Sequence, residues 1–111
     1  MRIETLREDT TTVLRLHGFL AGPGTEALTE HLAKFAGPDA GAVALDVTGI
    51  LLVDSRGLEV LVNAAEAMIR SGRTLRLLGK NPKLFEILEL TELTPLFEVC
   101  REAEPAGGKR P

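Results

Sequence analysis

The sequence predicts a single α/β domain on a mixed β-sheet, with an antiparallel first hairpin, parallel strands after it, and helices packed against the sheet. Three observations predict this. Segments alternate along the chain in the order β-β-α-β-α-β-α-β. Apolar residues recur at helical spacing in three separate stretches. Between the first two stretches, Ala42 to Val47 is nearly continuous apolar sequence, the pattern of a central strand covered on both faces.

The elements follow in order. Arg2 to Arg7 and Thr11 to Leu16 read as two strands joined by the polar turn Glu8-Asp9-Thr10, an antiparallel hairpin. In the second strand Leu14 and Leu16 share one face, and Val13, Arg15 and His17 share the other. Gly22-Pro23 starts a helix, with Pro23 at the first helical position, where its missing N–H costs nothing. Leu28, Leu32, Phe35 and Ala36 form its stripe, and Gly37-Pro38-Asp39 closes it. After the strand Ala42 to Val47, the segment Thr48 to Asp54 is expected to be a loop. Its four consecutive apolar residues, Ile50-Leu51-Leu52-Val53, must then tuck at least partly into the core.

From Ser55 the helical signal is the clearest in the chain. Leu58, Leu61, Val62, Ala65, Met68 and Ile69 form one stripe, away from Glu59, Asn63, Glu66 and Arg70, and Gly72 is the C-terminal stop. Thr74 to Leu78 reads as a strand. Asn81-Pro82 then pairs a capping side chain with proline, and Leu84, Ile87, Leu88 and Thr91 give a third helical stripe. Pro95 ends it, and Leu96 to Val99 reads as a short last strand. Successive parallel strands imply right-handed crossovers. The domain is expected to span residues 1–103, with 104–111 as a disordered tail by composition.

Bulk properties narrow the function. The 111 residues suit one domain, and 44% apolar content is normal for a globular core. One cysteine, Cys100, precludes an intramolecular disulfide and suits a reducing compartment. The charged N-terminus lacks a signal peptide's apolar stretch. No apolar run approaches the roughly 18 residues of a membrane span. The expected location is the cytoplasm, without membrane insertion. The net charge is −3 with scattered Lys and Arg, and there is no Trp or Tyr, which argues against nucleic acid as partner.

Few residues invite chemistry. His17 and His31 lack Cys, Asp or Glu at metal-ligand spacing, so no metal is expected, nor any cofactor. Ser55 follows Asp54 rather than sitting in the Gly-x-Ser-x-Gly of a hydrolase elbow, so catalysis is not expected. Gly79-Lys80-Asn81 precedes a helix without the P-loop spacing. Asp46 ends a strand and is expected to hydrogen-bond the segment after it. Ser55 stands where the helical stripe begins and is the natural N-cap, a role worth about 1 kcal/mol. The same helix start suits an anion, since unpaired N–H groups and the positive end of the helix dipole meet there. A phosphate on Ser55 would add about −1.5 to −2 charges beside Asp54.

The run A-V-A-L-D-V-T-G-I-L-L-V-D-S-R-G-L-E-V-L resembles the signature of STAS domains: an apolar strand ending in Asp, an apolar segment, then Asp-Ser-x-Gly-Leu opening a helix. The upstream H-G-F-L and the element order agree, and the likeness runs from the N-terminus to about Val99. The resemblance implies a SpoIIAA-like STAS fold and an anti-sigma factor antagonist. Such a protein acts by binding an anti-sigma factor with serine kinase activity, which phosphorylates the motif serine, here Ser55. Partner contact is implied at Gly18, Leu20, Ala21, Asp54, Ser55, Arg56, Gly57 and Leu58, with Asp46 shaping the site. The implied assembly state is a monomer or weak dimer. Two positions depart from the family pattern: Ala21 replaces a common Asp, and Arg56 a common second Ser. Arg56 can pair with a phosphate or point to solvent. STAS-like proteins also serve as non-switching scaffold subunits of phospholipid-transport ATPase complexes or stress-signalling assemblies, which stays open. A nucleotide-binding or small-ligand module has only the anion-ready helix start behind it.

Overall fold

The computed structural model describes residues 1–35, 37 and 40–100. The expected tail, Ala36, Pro38 and Asp39 lie outside the described residues. The elements are β1 (Arg2–Glu8), β2 (Thr11–Leu20), α1 (Pro23–Ala33), β3 (Ala42–Val53), α2 (Ser55–Arg70), β4 (Leu75–Leu78), α3 (Pro82–Leu90) and β5 (Phe97–Cys100). A 3-10 turn, Thr94–Leu96, leads into β5.

The five strands lie in sequential order, β1-β2-β3-β4-β5, antiparallel at the first pair and parallel at the other three. Every crossover therefore steps the same way along the sheet, and with right-handed connections that puts all three helices on one face. The core agrees. Leu28 and Leu32 of α1, Leu61, Ala65 and Met68 of α2, and Leu84, Phe85 and Leu88 of α3 cluster with Leu14, Leu16, Val43, Leu45, Val47, Leu75, Leu77 and Phe97. Each such fully buried leucine contributes about 1.5–3 kcal/mol relative to exposure. In α2 the stripe holds except at Ile69, which is nearly half exposed in the last turn of the helix.

The other face of the sheet carries no helix among the described residues. Val43 to Val47 is buried throughout, as the apolar run implies, but the cover on this second face is side chains rather than a helical layer. Val13, Ala44 and Leu78 cluster there with Leu6 and Cys100. Beside them runs an ion-pair ladder. Arg15 lies 3.7 Å from Glu4 and 3.5 Å from Asp46, and Arg76 lies 3.6 Å from Glu98. His17 Nε2 is 3.1 Å from Glu4 Oε1, and that hydrogen bond holds the Glu4 carboxyl below the ordinary carboxylate range. The register explains the ladder, because Glu4 pairs with Arg15 and Arg15 with Asp46 across neighbouring strands.

The segment Thr48 to Val53 is strand, not loop. β2 continues past Leu16 to Leu20, and the two run parallel to the Leu20–Val53 pair. The register slips twice. Between the Arg15–Asp46 and His17–Gly49 pairs β3 gains one residue, and between Gly18–Ile50 and Phe19–Leu52 it gains another, Leu51. Each extra residue is a β-bulge, which breaks the period of two that a strand otherwise shows in its sequence.

β4 pairs with β3 only from Ala44 to Asp46, so β2 and β3 project beyond it as a two-stranded arm. Asn81 ties that arm down. Its Nδ2 donates to the carbonyls of Val47 (2.8 Å) and Ile50 (3.1 Å), which β4 is too short to reach. Its Oδ1 accepts from Leu84 N at 3.2 Å, capping α3 as the sequence implies. One side chain thus fixes both a helix start and the tilt of the arm.

Candidate functional site

The arm delivers β3 directly into α2, and the D-S-R-G-L motif sits at that junction. Asp54, not Ser55, is the N-cap. Asp54 is extended (φ −97°, ψ −175°), and its carboxylate accepts a 2.7 Å hydrogen bond from Gly57 N. The Asp54 carbonyl accepts the first helical bond, from Leu58 N at 2.9 Å. Ser55 is therefore the first residue with helical geometry. The expectation that Ser55 caps the helix misplaces the boundary by one residue. A carboxylate at the cap also meets the helix dipole with full charge, which the hydroxyl cannot do. Asp54→Ala is expected to cost about 1 kcal/mol, and Ser55→Ala less than about 0.5 kcal/mol. Urea unfolding of the two variants measures the difference directly.

With the cap assigned to Asp54, the Ser55 side chain is exposed on the first turn and free of that duty, as is Arg56 beside it. Gly57 is buried, for a steric reason. A Cβ there would lie 2.1 Å from the Leu20 carbonyl oxygen. The first turn of α2 thus rests directly on the end of β2, where Asp54 N also donates to Leu20 O at 3.3 Å. Leu20 is fully buried and offers a partner no side chain, so it positions α2 rather than presenting a surface. Leu58 and Ala21 are half-buried, and Gly18, also half-buried, adopts φ +105°, a left-handed conformation suited to glycine. Asp46 bonds the residues after it as expected, Thr48 N donating to Oδ1 at 3.1 Å. It also pairs with Arg15 on the open face of the sheet.

The feature that the sequence pattern hid is apolar. Leu51 is 72% exposed, Phe19 57% and Leu52 53%, although only Ile50 of the Ile50–Val53 run is buried and Val53 half-buried. Phe19 and Leu52 are register partners, and Leu51 is the bulged residue pushed out of the ladder. Three large apolar side chains therefore sit at the tip of the arm, within four residues of Ser55 along β3 or paired across from it. Exposed clusters of this kind mark protein-binding surfaces. The signal in the sequence was the apolar run itself, expected to tuck at least partly into the core: Ile50 and Val53 do so, and the bulges that leave Leu51 and Leu52 outside were invisible.

Among the described residues no three His, Cys, Asp or Glu side chains gather as a metal site would require. No helix among them is long and apolar enough to cross a membrane.

A family model described as "Mlab, STAS domain" matches residues 3–98. No curated protein matches the chain. Several solved structures share its fold. A Thermotoga maritima protein described as a candidate anti-sigma factor antagonist superposes with a TM-score of 0.80 at 20% identity, over 88% of this chain and 85% of that one. An anti-sigma factor antagonist from Mycobacterium paratuberculosis gives 0.75 at 18% identity, over 89% and 84%. The Bacillus cell fate determinant SpoIIAA in its phosphorylated form gives 0.70 at 17% identity, over 91% and 93%. At these identities the likeness is one of fold.

Proposed function

The chain belongs to the STAS domain family, and from that membership we propose that it is an anti-sigma factor antagonist. It works by binding a partner protein rather than by catalysis. The observation that carries the reading is the pairing of an apolar tip, Phe19, Leu51 and Leu52, with an exposed Ser55 at the next helix start. The partner is an anti-sigma factor with serine kinase activity, and Ser55 is its phosphorylation site.

The physics supports a switch. Unmodified, Ser55 is a neutral hydroxyl beside the apolar tip of the arm, so a partner can desolvate that side of the helix start cheaply. Transfer of a phosphoryl group from ATP to Ser55 Oγ leaves α2 intact, because a dianion at a helix N-terminus is electrostatically tolerated. In a closed contact that dianion must be buried or must face the carboxylate of Asp54. Either costs several kcal/mol, enough to weaken binding by orders of magnitude.

Incubation with candidate anti-sigma kinases and ATP, followed by intact mass and site mapping, is expected to place one phosphate on Ser55. Ser55→Asp is expected to bind the same partner at least tenfold more weakly than wild type. Equal binding of the two by calorimetry would sink the switch.

One observation favours a second reading, a non-switching scaffold subunit. Ala21, half-buried at the β2–α1 turn, supplies no acid where kinase-regulated relatives commonly carry one. Under that reading no kinase modifies Ser55, and the chain copurifies in constant stoichiometry with transporter ATPase subunits.

A further inference from the structure

We propose that the groove between α1 and α2 is a second docking site, which takes an amphipathic helix with basic residues at one end. The inference rests on the reading that the chain acts by binding a protein. The groove has two halves that share Thr29, Val60 and Asn63, so they form one continuous channel. The half toward the end of α2 is an apolar trough of about 240 Å³ floored by Leu32, Val60, Ala64, Ala67 and Met68. Alanines at positions 64 and 67 leave room there for side chains arriving from outside. The other half opens beside Arg56 and is lined by Glu26, Glu30 and Glu59.

Charge identifies the occupant. Glu26, Glu30 and Glu59 are exposed, and none has a cation within ion-pair distance among the described residues. Against them stands Arg56 alone, which leaves this end net negative. A neighbouring protein of matching charge must bring Lys or Arg to it, while its apolar side chains fill the trough. Two neighbouring walls of helix suit a third helix, whose side chains at i, i+3, i+4 and i+7 enter such a groove as a row. The acidic end adjoins the first turn of α2, so a helix here and a contact at the Phe19–Leu51–Leu52 tip can be made by one partner at the same time.

The test uses the full chain, labelled with ¹⁵N, and three synthetic peptides of about 14 residues, long enough at about 1.5 Å per residue to run along most of α2. One peptide places leucines on one face and lysines at one end. The second replaces the lysines with glutamates, and the third scrambles the first. The lysine peptide is expected to shift the amides of Thr29, Asn63, Ala64 and Ala67 saturably, and to bind at least tenfold more tightly than the other two. The charge reversal Glu26→Lys with Glu30→Lys, both exposed and safe for folding, is expected to abolish that preference. Ala64→Asp is expected to weaken the peptide at least tenfold, with folding checked by its amide spectrum. Equal binding of the scrambled peptide, shifts confined to Phe19, Leu51 and Leu52, or indifference to the charge reversal would each overturn the site. Leu90→Asp, at an exposed position away from the groove, is expected to leave peptide binding unchanged. A failed peptide arm beside intact kinase binding removes the groove alone, and the converse removes the antagonist reading alone.

Discussion

Gly57→Ala is expected to destabilise the domain by about 3 kcal/mol, at the upper end for overpacking, and to lower its melting temperature by roughly 10–20 °C. The reason is geometric. The new methyl group would stand 2.1 Å from the Leu20 carbonyl oxygen, 2.9 Å from Leu20 Cγ and 3.0 Å from the Leu20 carbonyl carbon. Two of those atoms are backbone, and the strand that holds them is paired with β3 as far as Leu20 itself. Neither side can move without cost. If α2 shifts outward instead, it breaks the Asp54 N to Leu20 O bond and uncovers Leu61, which is fully buried below. Ordinarily alanine is the better helix former by about 1 kcal/mol, so propensity predicts a gain at this position. A thermal melt that shows no loss would therefore contradict the close approach. Calorimetry on Gly57→Ala beside Ser55→Ala separates the two effects cleanly, because Ser55 is exposed two residues away.

The second large effect concerns binding rather than folding. Leu51→Asp combined with Leu52→Asp is expected to weaken the complex with the proposed partner, the anti-sigma factor, at least 100-fold, which is about 2.7 kcal/mol. Apolar anchors at the centre of an interface commonly contribute that much, and a new carboxylate there must also be desolvated. Stability is expected to change by less than about 0.5 kcal/mol, since both side chains already face solvent. Leu90→Asp is the control. Leu90 is 77% exposed, but it lies at the far end of α3, away from the arm. Loss of binding in the control as well would mean that the partner reads net charge rather than the arm. Retained binding in the double variant would remove the apolar tip as the contact.

Much of the candidate site is legible in the chain because it is local. Asp54-Ser55-Arg56-Gly57-Leu58 announces a helix start by residue type and by the stripe that follows, and the structure moves the cap by only one residue. The three helices, the first hairpin and the Asn81 cap are similarly local. Each depends on neighbours within a few positions, which is the range over which capping and periodicity act. What fails is the arm. Two bulges in β3 put Leu51 and Leu52 outside while Ile50 stays in the core, and no count of alternating residues survives two insertions. The run Ile50-Leu51-Leu52-Val53 reads as a loop partly tucked into the core, and residue type alone does not say which of the four stay outside.

By itself, then, the sequence determined the order of the elements, the mixed sheet and the position of the exposed serine at the head of α2, all from short-range signals. Only the tertiary structure decided three things. The short β4 leaves the β2–β3 arm unsupported on one side, so Asn81 must reach 34 residues back to Val47 to hold it. The sequential strand order places every helix on one face and sets α1 beside α2, which creates the groove. And Gly57 is glycine because the backbone of Leu20, 37 residues earlier in the chain by numbering, passes where a methyl group would be. Each is a meeting of distant segments, and no window along the chain contains both partners.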